Sequence, residues 1–153
     1  MDGARSIFSD VTEDGDVGTG RIYVLRSKSD HPVIKEHRNV IHKIGVTGGD
    51  IKKRLVNVKL DPTFLMADVE IVATYELSNI NRARLENLLH TFFEPARLNI
   101  TITDRFGNPV VPREWFLVPL YVIDDVISKI RSHEIVKYRY DPASASLELL
   151  PTT

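Results

Sequence analysis

Short apolar runs dominate the first part of the chain and predict β-strands. Residues 22–25 are strand-forming side chains, and residues 40–46 form a second such run. The stretch between them, residues 27–38, is polar and charged and contains Pro32, so we expect a hairpin with a long, basic loop. Residues 69–77 predict a third strand.

Apolar side chains spaced three and four positions apart predict three helices. The first follows a glycine turn, with Asp50 as its N-cap, and ends at Pro62. The second is capped near Asn81 and runs to about Phe93, and the third covers Leu120–Arg131. The buried stripes of the first two helices are Ile51, Leu55 and Val58, and Leu85, Leu88, Leu89 and Phe92.

The remaining segments define the organisation of the chain. Residues 98–103 and 115–118 flank a turn-rich stretch and predict a hairpin or a long loop. Residues 135–150 predict two short strands around a central Asp-Pro turn. The acidic, glycine-containing start is typical of a flexible leader or a linker from a larger protein. We therefore predict a leader or linker over residues 1–19, a single folded domain over residues 20–134 and a C-terminal extension over residues 135–153.

Composition narrows the class of protein. The chain has 153 residues, 42% hydrophobic and 27% charged, which is typical of one globular domain. No apolar run approaches the roughly 20 residues that span a bilayer, and the start lacks the features of a signal peptide, so we expect a cytoplasmic protein. Because the chain has no cysteine, it has neither disulfides nor thiolate chemistry, and a metal would need oxygen or imidazole ligands.

The net charge of −1 conceals a strongly basic segment. Residues 21–59 contain ten Lys and Arg side chains against three acidic ones, a local charge of +7. A surface of this kind is what a nucleic-acid-binding protein needs, because affinity for phosphates follows local cation density. A solvated basic face without a ligand is the alternative explanation.

Side chains alternate between the two faces of a sheet, and this strand parity sorts the residues of the second predicted strand by face. His42 falls on the apolar face of the second strand, which favours a buried structural histidine. Lys43 and Gly45 share the other face. If Tyr23 faces the same way, the Lys43 ammonium could lower the pKa of its phenol and make it a base. The alternative is a tyrosine that packs its ring and a lysine that reaches for water.

The helices offer groups that could bind phosphate and metal. Arg54 flanks the buried stripe of its helix, so its guanidinium could bind two phosphate oxygens. On the next helix, Arg82, Glu86 and His90 follow one another at intervals of four and form a polar ridge. One carboxylate with substrate phosphate and water suits Mg²⁺. A surface ion pair between Arg82 and Glu86 is equally compatible with the spacing.

Taken together, these features resemble the GIY-YIG nuclease superfamily over about residues 20–118. Residues 20–25 are similar to its first motif and residues 42–47 to its second, with Lys43 in place of the tyrosine that names that motif. Arg54 follows nine positions after Gly45, residues 83–90 resemble the helix that carries the family's glutamate, and residues 114–116 are similar to a closing element. Order and spacing are more specific than any one motif.

The resemblance implies an α+β fold, with a small, mainly antiparallel sheet of about three strands flanked by helices, and this agrees with the predicted elements. It implies an endonuclease that hydrolyses DNA phosphodiester bonds with Mg²⁺ or Mn²⁺, a role in restriction or phage defence, and a separate or fused DNA-recognition domain as partner. The alternative is an inactive nucleic-acid-binding or interaction module on the same scaffold. The predicted catalytic residues are Tyr23, Lys43, Arg54 and Glu86, with Glu86 as metal ligand; the predicted substrate contacts are Gly45, Thr47, Lys52, Arg82 and His90.

Overall fold

A computed structural model describes residues 17–151 of the chain. Most of the predicted leader therefore lies outside the described residues, and the first strand begins at Val17. The strands are β1 Val17–Ser27, β2 Ile41–Thr47, β3 Val69–Asn81, β4 Ile102–Thr103, β5 Pro109–Val110, β6 Trp115–Leu117, β7 Tyr138–Asp141 and β8 Ser146–Leu149. The α-helices are α1 Pro32–Glu36, α2 Ile51–Arg54, α3 Arg82–Phe92 and α4 Leu120–Arg131, and short 3₁₀ turns follow α2, α3 and α4.

The predicted α+β fold class, built on an antiparallel sheet with flanking helices, is confirmed. The main sheet has four strands in the order β3-β1-β2-β6, and every pairing in it is antiparallel. In the β1–β2 pair, Tyr23 lies directly opposite Gly45. The fourth strand arises because β6 hydrogen-bonds to β2, and the hairpin expected in the turn-rich stretch after residue 103 is formed by β4 and β5.

One face of the main sheet carries the principal core. Helices α3 and α4 pack their apolar stripes on inward-facing residues of β1 and β2, such as Ile22 and Ile44. The predicted bounds of α4 are confirmed, and its five apolar residues from Val122 to Ile130 are buried. Residues 138–149 form the predicted two-stranded tail, and Tyr140 joins this core. Because each fully buried large apolar side chain contributes roughly 1.5–3 kcal/mol, this face supplies most of the hydrophobic stabilisation.

The opposite face differs from the sequence prediction at two segments. Residues 27–38 are not all loop, because α1 forms there and buries Ile34 completely. The predicted helix after β2 is a single turn, α2, since Asn57 takes a left-handed conformation with φ of 62° that no α-helix continues through. The chain then makes two 3₁₀ turns that bring Phe64 beneath the sheet. Within residues 17–151, no helix has the length and apolarity to span a bilayer.

Candidate functional site

The outer edge of β2 is completed by side chains where β6 ends. Strand β6 pairs with only the first three residues of β2. Further along, the Ile44 amide donates to the Glu114 carbonyl at 3.2 Å, the His90 Nε2 atom donates to the Ile44 carbonyl at 2.8 Å, and the Val46 amide donates to Glu86 Oε2 at 2.8 Å. The predicted polar ridge of α3 therefore replaces a missing neighbouring strand. This arrangement fixes two functional side chains by hydrogen bonds to the backbone.

Three potential metal ligands meet at this edge. One ligand atom from each of Glu86, His90 and Glu114 lies within 4.8 Å of the others, and all three side chains are half-buried. Each carboxylate has two oxygens, so Glu86 keeps one after accepting from the Val46 amide. The His90 bond to a carbonyl places the ring proton on Nε2 and leaves a lone pair on Nδ1. Two carboxylates and an imidazole fit a divalent cation such as Mn²⁺ or Mg²⁺.

Tyr23 occupies the space left by the missing side chain of Gly45. A Cβ atom on Gly45 would lie 2.2 Å from Tyr23 Cζ and 2.3 Å from its hydroxyl oxygen. The tyrosine is 1% exposed, so its ring has no room to move aside. Gly45 thus has a packing role, because the glycine admits the ring that carries the phenol; its contact with substrate stays a prediction.

Arg54 is the cation that contacts this phenol. Its Nε–H donates to the Tyr23 hydroxyl oxygen at 2.9 Å. Burial raises the pKa of Tyr23 above its ordinary value of 10.0; Arg54 opposes the rise, and the negative charges of Glu114 and Glu86 add to it. The hydrogen bond to Tyr23 raises the pKa of Arg54 in turn. Tyr23 is therefore a neutral phenol at physiological pH, and the expected lowering of its pKa by a neighbouring lysine does not occur.

Lys43 belongs to the site through a carboxylate instead. It is 2% exposed, donates to Glu114 Oε2 and lies over the ring of Phe64, with 4.7 Å between Nζ and the ring centroid. A buried ammonium requires such a partner, because leaving water uncompensated is costly. Lys43 therefore holds Glu114. The β1–β2 register places Lys43 and Tyr23 on one sheet face, the condition that the sequence left open.

A cavity of about 470 Å³ opens beside these groups. This size falls in the range of pockets that hold a small ligand or one nucleotide unit. Arg54, Lys43 and Glu114 form part of its wall, and the exposed Arg113 adds a further cation. The remaining lining residues come from the turns after α2 and the segment before β6: Asp61, Thr63, Phe64, Val111 and Pro112.

The other predicted substrate contacts lie around the turn that follows β2. The Thr47 hydroxyl accepts from the Gly49 amide at 3.2 Å, and Lys52 is exposed on α2. Arg82 packs against Gly48, where an added Cβ would lie 2.7 Å from its guanidinium carbon, and it donates to the Thr19 carbonyl at 3.2 Å. In the structure, Thr47 and Arg82 thus support this turn, and only a bound substrate would test their predicted contacts.

The sequence patterns did not indicate that Glu114 and Arg113 lie at this cavity. Glu114 directly precedes an apolar pair in the sequence, but the spacing of residues along the chain does not connect it with Lys43, which is 71 positions away. Glu114 meets Lys43 because β6, which begins at the next residue, pairs with the edge of β2. His90 was predicted as a substrate contact, and its position beside Glu86 on α3 makes it a potential metal ligand as well.

Comparisons with known proteins give the family. The model of the T5orf172 domain matches residues 20–131. A protein of Bacillus subtilis (strain 168), named uncharacterized protein YeeC, is 39% identical over 129 residues, which are 84% of this chain and 33% of that protein. The chain thus spans about a third of the length of this relative. No solved structure matches the chain.

The family match corrects the assignment made from motifs. The resemblance to the GIY-YIG superfamily is wrong as a family assignment, because the model that covers residues 20–131 is that of a distinct family. Site roles can therefore not be taken from that superfamily and depend on the geometry described above. The chain belongs to the T5orf172 domain family, a nuclease-like domain family.

Proposed function

We propose that this domain is a metal-dependent endonuclease that hydrolyses DNA phosphodiester bonds. The observation that carries the proposal is the convergence of a phenol–guanidinium pair and a Glu-His-Glu cluster at one open strand edge beside a cavity. Phosphodiester hydrolysis needs cationic groups for the phosphoryl oxygens and a site for an activated water, and these residue types supply both. A nuclease-like family is consistent with this chemistry.

Arg54 is the proposed phosphate-binding residue. One of its donors is used by Tyr23, and the guanidinium lines the cavity, where its remaining N–H groups can bind a phosphoryl oxygen. The hydrogen bond to Tyr23 also fixes the orientation of the Arg54 guanidinium group before the substrate binds, which reduces the entropy lost on binding. Arg113, which also lines the cavity, is suited to an adjacent phosphate of the same strand.

Glu86, His90 and Glu114 are the proposed metal-binding residues. A divalent ion bound there would lower the pKa of a coordinated water and neutralise charge on the phosphoryl oxygens. The protein holds these ligands in advance: Glu86 and His90 are fixed by the edge of β2, and Glu114 by Lys43. Mn²⁺ and Mg²⁺ are both compatible with this donor set.

Tyr23 is proposed to orient the attacking water rather than to exist as a ready-made phenolate. Its hydroxyl oxygen accepts from Arg54, and its proton remains available for donation. Because burial raises its pKa, fewer than about one molecule in a thousand carries a phenolate at pH 7. Its hydrogen bond therefore fixes geometry at the reacting centre, where misplacement by about 1 Å costs on the order of 100-fold in rate.

The decisive test is Glu86→Gln in a cleavage assay on supercoiled plasmid with Mg²⁺, Mn²⁺ or chelator. Glutamine keeps an oxygen that accepts from the Val46 amide but removes the charge, so the fold is preserved and the metal ligand is lost. We expect cleavage to fall by at least about 100-fold, the usual loss for a transition-state electrostatic group. Glu76→Gln is the matched control, because Glu76 is an exposed carboxylate on β3 paired with Arg21.

A second candidate function is a binding module without turnover. It is favoured by the backbone hydrogen bonds of Glu86 and His90, because these bonds would preserve both side chains for structural reasons alone. Retention of DNA in a gel-shift assay without cleavage in any divalent cation would support this candidate. Cleavage that disappears with chelator and with Glu86→Gln would exclude it.

A further inference from the structure

The tip of the β4–β5 hairpin exposes an aromatic ring to solvent. Phe106 is 74% exposed, more than any other large hydrophobic side chain among the described residues. The Arg105 guanidinium lies over the ring, with 4.9 Å between its carbon and the ring centroid. An aromatic side chain in water contributes nothing to the core. Because a single exposed ring is common on protein surfaces, a ligand is inferred here only from the ring together with the order and the charge of the tip.

This tip is ordered by its own hydrogen bonds. The Asp104 side chain accepts from the amides of Phe106 at 2.9 Å and Asn108 at 2.8 Å. The Asp104 amide donates to the Asn108 carbonyl at 2.8 Å, and Gly107 takes the positive φ of 84° that closes the turn. Because the turn is fixed in this way, Phe106 projects from a preformed support rather than from a flexible loop.

The hairpin is anchored to the wall of the catalytic cavity. Ile102, at its base, packs in one cluster with Trp115, and the Trp115 indole N–H donates to the Thr63 carbonyl at 3.0 Å. Thr63 lines the cavity. The chain also runs directly from the tip to the site: Glu114 follows Phe106 by eight positions, a span of at most about 29 Å. One turn of a DNA duplex is about 34 Å long, so a duplex cut at the site is within reach of the tip.

We propose that the β4–β5 hairpin is a DNA-contacting element, whose Arg105 and Phe106 enter a groove of the duplex next to the cleaved phosphate. The inference rests on the proposed function and adds to it a residue pair that contributes affinity and choice of site. Phe106 supplies a flat apolar surface for a base step, as the inserted side chains of other groove-binding proteins do. Arg105, whose guanidinium lies over the Phe106 ring, supplies the positive charge that complements the phosphates.

The charges along the hairpin agree with this partner. Arg105 at the tip and Arg113 beside the cavity are both exposed cations on the segment of chain that joins the hairpin to the site, and Arg54 adds a third cation at the cavity. Asp104, the acid of the tip, uses one carboxylate oxygen for two backbone amides, which draws its charge toward the turn. A negatively charged duplex is therefore favoured over an acidic or apolar protein surface by this combination of cations and a stacking ring.

The test is fluorescence anisotropy with a labelled duplex of about three helical turns in chelator, where no cleavage occurs. We expect Phe106→Ala to weaken binding by at least about five-fold, because loss of one base–aromatic contact has this effect. The dependence of log Kd on log salt should keep its slope for Phe106→Ala and decrease by about one for Arg105→Ala, since only the second variant loses an ion contact. Leu149→Ala, which alters a 63% exposed side chain in the tail, is the matched control.

The outcomes separate this inference from the proposed function. If Phe106→Ala binds the duplex as tightly as the intact protein, the hairpin inference is overturned and the endonuclease proposal stands. If the intact protein binds and Phe106→Ala is weakened, but no divalent cation supports cleavage, the inference stands and the endonuclease proposal falls. Equal loss of affinity in Phe106→Ala and Leu149→Ala, or preference of the intact protein for a single strand, also overturns the hairpin role.

Discussion

The two faces of the main sheet serve different purposes. The face under α3 and α4 is one continuous apolar core, from Ile22 to Tyr140. The other face has two smaller apolar clusters, one of which contains the buried phenol of Tyr23, and it also buries the ammonium of Lys43. Adjacent residues of one strand therefore have different roles, because side chains alternate between the two faces of a sheet. The helix face stabilises the fold, and the other face holds Tyr23 and Lys43 of the candidate site at a cost in desolvation.

The comparison also explains why the site lies at an edge. An interior strand has both rows of backbone groups paired, so it offers no place for side-chain ligands. Strand β2 is interior only where β6 covers it, and beyond that point Glu86 and His90 take over the backbone hydrogen bonds. The same bonds that complete the edge therefore hold the ligands in position. Glu86 and His90 thus contribute both to stability and to the candidate chemistry. Variants that remove the charge but keep the hydrogen bond are informative because they change only the second contribution.

The largest expected effect on stability comes from the helix face. Ile127→Ala removes a fully packed side chain between α4 and the sheet, and we expect the free energy of unfolding to fall by about 2–5 kcal/mol. Cleavage per folded molecule should stay within a factor of two, because no group of the site touches Ile127. Urea unfolding combined with the plasmid assay measures both quantities. A selective loss of cleavage at full stability would show that the two faces are not separate in function.

The next largest effect should appear in both stability and cleavage. Gly45→Ala places a methyl group where the Tyr23 ring lies, so we expect the ring to be displaced and the free energy of unfolding to fall by about 1–3 kcal/mol. Displacement also breaks the bond between Tyr23 and Arg54, and cleavage should fall by about 100-fold or more. Gly49→Ala is the control, because a Cβ there meets only the Thr47 hydroxyl at 4.0 Å. Normal activity of Gly45→Ala would show that the observed phenol position is dispensable.

Sequence patterns predicted the helix face better than the other face. The stripe of α4 is amphipathic and regular, so its bounds follow from spacing alone, and Asn81 supplies a visible cap for α3. Strand parity also predicted that His42 is buried and that Lys43 and Gly45 share a face, whereas the face of Tyr23 required the pairing of β1 with β2. These features are local: each depends on residues a few positions apart or on a single strand pair.

The features that sequence patterns missed depend on long-range contacts. The fit of β6 against β2 decides whether residues 98–118 form a hairpin or extend the main sheet. Sequence periodicity carries no information about that fit. The partner of Lys43 and the meeting of Glu114 with His90 follow from that pairing, whereas the contact that requires a glycine at position 45 follows from the pairing of β1 with β2. The family could not be read from short motifs, since the same few residue types occur in order in a superfamily to which the chain does not belong. The division into residues 1–19, 20–134 and 135–153 stays a prediction.

The smallest expected effect concerns the only buried histidine of the helix face among the described residues. His42 Nδ1–H donates to the Val118 carbonyl at 2.7 Å, and its Nε2 accepts from Arg26 at 3.2 Å, so the neutral ring is satisfied and a second proton has no acceptor. Burial lowers the pKa of His42 from 6.5, and the Arg26 charge adds to this, against the Val118 bond.

The sign of the resulting pH dependence follows from the protons bound in each state. Below pH 6.5 the unfolded chain protonates His42 and the folded protein does not, so stability is full above pH 6.5 and falls as the pH decreases through the depressed folded pKa. The slope due to one such group is at most about 1.4 kcal/mol per pH unit. We expect His42→Gln, which offers a similar donor and acceptor without titrating, to lose less stability than the intact protein between pH 8 and pH 5. Comparing the two proteins in urea at each pH cancels the contributions of the other titrating groups, and parallel curves would show that His42 does not cause the acid sensitivity.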